Sequence, residues 1–129
     1  MSVGEFSTLD VTYVATGSIS RYSVVVADST IDKGCKLPAA SGAVAILGVI
    51  QEDALASGDV VRVRKLGVTK VIAGMALSVA DQVHIHNSSG RVGKPASWSD
   101  GTGVVGQMED SATASGDIID CFLQIATVR

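Results

Sequence analysis

The sequence predicts an all-β protein, a small β-barrel or β-sandwich with short turns and an irregular N-terminal arm. Three observations predict it. The first is a repeat: Ala54-Leu55-Ala56-Ser57-Gly58-Asp59-Val60-Val61-Arg62-Val63 returns 58 positions later as Ala112-Thr113-Ala114-Ser115-Gly116-Asp117-Ile118-Ile119-Asp120-Cys121. A weaker copy, Ala76 to Ile85, begins 22 positions after the first. Each copy is a small-residue turn, an Asp, and a segment that alternates with the period of a strand. The second is composition: 47% of residues are apolar but only 4% aromatic, so the core must be aliphatic and rich in β-branched residues that suit a pleated surface. The third is 14 Gly against 2 Pro, which fits many tight turns.

The elements follow in order. Residues 1–8 are polar and mixed and read as a flexible arm. Leu9, Val11 and Tyr13 share one face of a period-two strand, and Gly17-Ser18-Ile19-Ser20 is a turn. Tyr22 to Ala27 is an apolar strand, residues 28–44 are turn-rich, and Val44 to Ile50 is a strand interrupted by Gly48. A glycine there marks a bulge or a close backbone approach. Gly106 holds the matching place in the second copy, so the repeat includes the strand before the turn. Residues 46–63 and 104–121 share 6 identities in 18 positions.

One strand period fits the three copies. Val61 and Val63 match Ile119 and Cys121, which continue to Leu123 and Ile125; all should point inward. Arg62, Arg64, Asp120 and Gln124 should point outward. In the middle copy Val83 and Ile85 should point inward, and Gln82, His84 and His86 outward. Ala54 to Ser57 and Ala112 to Ser115 are too short to hold a helix. They read as turns fixed by the Asp carboxylate on nearby backbone N–H groups. Residues 87–103 form a polar excursion carrying the single Trp, Trp98. No linker divides the chain, so residues 1–129 read as a single β-rich domain, long enough for its own core.

Charge and cysteine content narrow the function classes. The net charge of −3 argues against a nucleic-acid partner, which favours a basic face. The basic cluster Arg62, Arg64, Lys65 and Lys70 reads as a solvated face rather than a phosphate site. No apolar run approaches the roughly 18 residues of a membrane span. The apolar surplus therefore points to a protein interface. Residues 1–6 have neither the basic nor the apolar region of a signal peptide, so Cys35 and Cys121 are expected to be reduced thiols.

No constellation carries chemistry. Gly101-Thr102-Gly103-Val104-Val105-Gly106 has the glycine spacing of a dinucleotide site, but a loop precedes it and an acidic turn follows, where a strand and a helix are needed. His84 and His86 lie about 7 Å apart on one strand face and could give two metal ligands, but nothing completes the set. No nucleophile elbow and no Cys–His arrangement is present, and Cys121 falls on an inward face. Glu52-Asp53 and Glu109-Asp110 sit in matching turns and read as solvated. The expectation is no enzyme activity, with no catalytic, cofactor-binding or metal-binding residue.

The order Gly48-Val49-Ile50-Gln51, Ala56-Ser57-Gly58-Asp59-Val60-Val61-Arg62-Val63, Gly67-Val68-Thr69-Lys70-Val71, Ile72-Ala73-Gly74, Gly103-Val104-Val105-Gly106 and Ala114-Ser115-Gly116-Asp117-Ile118-Ile119 resembles small capsid decoration (cement) proteins of tailed bacteriophages. The resemblance covers roughly residues 45–125. It implies a non-catalytic virion protein, made in the cytoplasm of a host bacterium. Such a protein would bind the major capsid protein on the outer surface of the shell and stabilise it. It would be a homo-oligomer, a trimer in preference to a dimer, with no nucleic-acid or membrane partner. The matching residues are fold motifs, so the capsid-binding residues stay unknown. The alternatives are a tail-tube or baseplate β domain and, further off, a carbohydrate-binding module, which would present exposed aromatics.

Overall fold

A computed structural model describes residues 8–128. Among them there are nine strands and no helix: β1 (Leu9–Ala15), β2 (Val24–Asp28), β3 (Gly34–Lys36), β4 (Ile46–Ile50), β5 (Val60–Ile72), β6 (Gln82–Ile85), β7 (Val92–Gly93), β8 (Gly103–Met108) and β9 (Ile118–Thr127). The all-β expectation holds. The expected arm, apart from Thr8, lies outside the described residues.

The strands hydrogen-bond in the order β1-β3-β2-β4-β5-β9-β8-β6-β7, and β5 also pairs back onto β1. β1, β3, β2, β4 and the first half of β5 therefore close a five-stranded barrel, which removes its open edges. The second half of β5 continues out of that barrel and pairs with β9. From there β8, β6 and β7 follow, and Val92 of β7 returns by a parallel bridge to Ala73, the residue after β5. Two ring-like lobes thus share one 13-residue strand.

The lobes are copies. Tyr13↔Val61 in the first lobe becomes Val71↔Ile119 in the second. Ile50↔Val63 becomes Met108↔Cys121, and Val25↔Gly48 becomes Val83↔Gly106. The bridge Ile19↔Ala54 becomes Leu77↔Ala112. All are displaced by the 58 positions of the sequence repeat. Two places are out of step by one residue: β3 against β7, since Ala15↔Cys35 becomes Ala73↔Val92, and the start of β1, since Leu9↔Leu66 becomes Gly67↔Leu123. The repeat seen in the sequence over residues 46–63 and 104–121 is therefore the legible half of a longer duplication. The weaker copy at 76–85 is, as expected, a turn with an Asp followed by a strand, β6; within the duplication its turn, 76–81, is the counterpart of Ser18 to Ser23 and pairs with the 112–117 turn through Leu77↔Ala112.

Each lobe has a core of the same pattern. The first holds Tyr13, Ala15, Ile19, Val25, Ile50 and Val63. The second holds Val71, Ala73, Leu77, Val83, Met108 and Cys121 at the same places. Val24, Val26 and Val49 join the second core although they lie on first-lobe strands. β2 is consequently buried on both faces, with Val25 inside its own barrel and Val24 and Val26 at the joint. This accounts for its continuous apolar run, which a half-buried strand would not show.

Three inward or outward expectations change. Leu9 is half exposed because the β1–β5 register shifts between Leu9 and Asp10, which takes it off the face of Tyr13. Ile125 is only half-buried, inside the register shift between β8 and β9. His84 is buried at 7% exposure, not outward, because the 94–102 loop brings Trp98 over it. Gly48 behaves as expected: it faces Val25 at a register shift, and a Cβ there would run into the Arg64 carbonyl. Gly106 is held in the same way against the Phe122 carbonyl.

Candidate functional site

The long turns are built by side-chain caps. The Asp59 carboxylate accepts the N–H groups of Leu55 at 2.7 Å and Ala56 at 3.2 Å. Asp117 repeats this with Thr113 at 2.8 Å and Ala114 at 3.2 Å and adds the Thr113 hydroxyl at 3.0 Å. These bonds, led by the Thr113 N–H, hold the Asp117 carboxyl below its ordinary value. Asp81 accepts the Ser78 N–H at 2.9 Å. Gly58 and Gly116 adopt φ of +99° and +97°, which a side chain would strain.

The residues of the basic cluster are already engaged. Arg64 grips Asp10 through Nε at 2.9 Å and Nη2 at 3.3 Å, and donates to the Val68 carbonyl. Arg62 lies 3.4 Å from Glu52, and Lys70 3.1 Å from Asp120. Lys65 donates to the Tyr13 hydroxyl at 2.8 Å. Side chains so paired present little free positive charge for phosphate.

The two histidines pack against different neighbours. The His84 ring meets Trp98 edge-on at 5.8 Å, and its buried Nδ1 has no hydrogen-bond partner. Burial, reinforced by His86, lowers the His84 pKa. The His86 ring packs on the backbones of Gly74 and Gly93, where a Cβ would collide with it. Among the described residues no group of three or more His, Cys, Asp or Glu could hold a metal. Gly103 and Gly106 lie inside β8 and Gly101 in the turn before it, so no helix N-terminus follows the glycine pattern.

Cys35 and Cys121 are free, buried and in different cores. Burial pushes the Cys121 thiol up to about 12 and raises that of Cys35. Their counterparts in the other lobe are Val92 and Val63. A thiol that the duplicate replaces by Val is filling volume.

Two surface features remain. A cleft of about 540 Å³ opens where the lobes join, floored by Ile19, Ala54 and Ile72 and rimmed by Ser20, Asp53 and Arg91. Aliphatic side chains also stand in solvent: Leu55 at 80%, Val60 at 65% and Ile118 at 54% exposure. Val60 and Ile118 are equivalent positions of the two lobes, just after the capped turns. The sequence pointed to an apolar surplus but named neither feature. The cleft needs residues from both lobes, and only the fold brings Ile72 and Arg91 to Ile19.

No protein-family model matches the chain, and no curated protein matches it. Among solved structures, the chain is similar to the head fiber gp8.5 N base of bacteriophage phi29, with a TM-score of 0.68 at 20% identity. The match covers 95% of this chain and 99% of that one. The two proteins share a fold. That likeness spans both lobes, so the two-lobed arrangement on one strand is a fold already seen in a phage particle.

Proposed function

We propose that this chain is a non-enzymatic structural protein of a phage particle that sits on the outer surface of the head, contacts the major capsid protein and reinforces the shell. The observation that carries the reading is the likeness over nearly the full length of both chains to the base of a phage head fiber. It favours a head component over a tail tube or a baseplate, since the neighbour belongs to the head.

The physical features support the same reading. Short capped turns and a shared central strand give a rigid body that loses little entropy on docking. Leu55, Val60 and Ile118 offer aliphatic surface for contacts with neighbours. Many copies on a lattice would add avidity without tight single sites. A protein that binds the assembled shell and not its dissociated subunits stabilises the shell by mass action. On this reading the protein is a homo-oligomer, a trimer in preference to a dimer. The neighbour also supports a second role, as the base on which a longer head appendage stands.

The test is co-sedimentation. Purified protein is mixed with expanded capsids that lack it, and the bound amount is followed to saturation. Saturable binding at a fixed ratio to capsid subunits is expected. Protein left in the supernatant at all concentrations would overturn the proposal.

A further inference from the structure

We infer that the cleft between the lobes is a docking site for an acidic side chain of a partner polypeptide, received by the Arg91 guanidinium. The inference does not depend on the capsid reading, because it concerns the chemistry of the partner segment and not where the partner stands.

The argument begins with Arg91. Arg62 and Arg64 are matched to carboxylates. Arg91 is half-buried in the cleft wall, yet among the described residues no carboxylate pairs with it. Among the described residues its side chain makes one hydrogen bond, from Nη1 to the Ser115 hydroxyl at 2.9 Å. A guanidinium has five N–H donors in a planar fork that matches a carboxylate. Partial burial without an anionic partner costs free energy, so the site is set to gain from one.

The duplication shows what is missing. At the corresponding place in the second lobe, Asp81 stands where the first lobe has Ser23, and Lys94 stands where it has Leu37. Lys94 Nζ and Asp81 Oδ1 lie 3.5 Å apart. The second lobe thus fills this place with its own ion pair. In the first lobe both partners are neutral, Ser23 and Leu37 line an open cleft, and the cation comes from across the joint. An incoming carboxylate would restore the pairing that the other copy already has.

Asp53 makes the occupant a peptide segment and not a bare anion. It lines the same cleft and already accepts the Arg21 N–H at 2.7 Å. Its second oxygen suits a backbone N–H of the incoming chain, a donor that a bare anion does not carry. Ile19 and Ala54 give an apolar floor for the side-chain methylene. Among the described residues no aromatic lines the cleft, which disfavours a sugar ring.

The experiment is an NMR titration of the isotope-labelled full chain with the blocked residue N-acetyl-aspartyl-N-methylamide at constant ionic strength. Its controls are the asparagine analogue and acetate. Saturable shifts of the Ser20, Ser23, Leu55 and Arg91 amides are expected, at least fivefold weaker with the asparagine analogue. They should vanish in Arg91→Gln and weaken in Arg91→Lys, which keeps the charge but loses the fork. Ser23→Asp, which supplies the carboxylate internally, should also abolish them. The proposal is overturned by no saturable shifts, by equal binding of the asparagine analogue, or by shifts that survive Arg91→Gln. Acetate binding as tightly as the blocked residue would overturn the peptide assignment.

Discussion

Asp59 and Asp117 each use one carboxylate oxygen to hold two backbone N–H groups that the short turn leaves without a partner. Asp59→Ala should therefore lower stability by about 1 kcal/mol, the usual cost of losing a side-chain cap to backbone. Chemical denaturation of the variant checks this, and an unchanged midpoint would contradict it. Asp117→Ala should act in the same direction. Because the Asp117 carboxyl titrates below its unfolded value of 3.8, its contribution is present above that pH and lost as the pH falls through the folded pKa. The cysteines belong to this scale too. Cys121→Val and Cys35→Val copy the residue found in the other lobe, so each should cost less than about 1.5 kcal/mol. The wild-type thiols should react with a thiol reagent only after unfolding, as Cys121, held near a pKa of about 12, is neither exposed nor ionised.

At the level of strands and turns, what the sequence discloses depends on what each position demands. The Ala-Ser-Gly-Asp turns require a positive-φ glycine and a capping carboxylate, and few residues meet those terms. That is why the repeat is plain at 54–63 and 112–121. Gly48 and Gly106 are fixed by the carbonyls of Arg64 and Phe122. Gly48→Ala or Gly106→Ala should each destabilise by roughly 2–4 kcal/mol, since the backbone itself must move. Melting curves of the two variants should show matching losses; a small loss for either would break the equivalence. The remaining strands ask only for apolar volume, so Tyr13 and Val71 fill one place with no visible kinship. β3 and β7 are too short to show a period, which hid them inside the turn-rich 28–44 and 87–103 segments. His84 was expected outward by the strand period but is buried under Trp98, a contact no strand pattern encodes. Its pKa is lowered by burial, so the unfolded chain takes up the proton more readily and stability falls as the pH drops below about 6.5. His84→Leu should flatten the melting temperature between pH 8 and 5.5; a slope equal to wild type would show that the burial has no such effect.

At the level of the molecule, one strand does the joining. β5 serves the first ring up to Leu66 and the second from Gly67, where its partner changes from β1 to β9. Val24, Val26 and Val49 seal the joint. Two copies of a small fold thereby share a strand and a packed joint, and we propose that both lobes unfold together. The duplication also leaves Val60 and Ile118 as equivalent exposed aliphatic positions. This scale was the least legible in the sequence, because the cleft and the joint depend on residues about 50 to 70 positions apart meeting in space. Function lies further still from the residues: a fold shared at 20% identity does not carry a role, and the place proposed on a phage head is a matter of binding.

The most direct test of that place is the heat resistance of expanded capsids, followed by release of packaged DNA, with and without saturating protein. The account predicts a higher release temperature that rises with occupancy and levels off at saturation. An unchanged release temperature with the protein bound would contradict reinforcement of the shell.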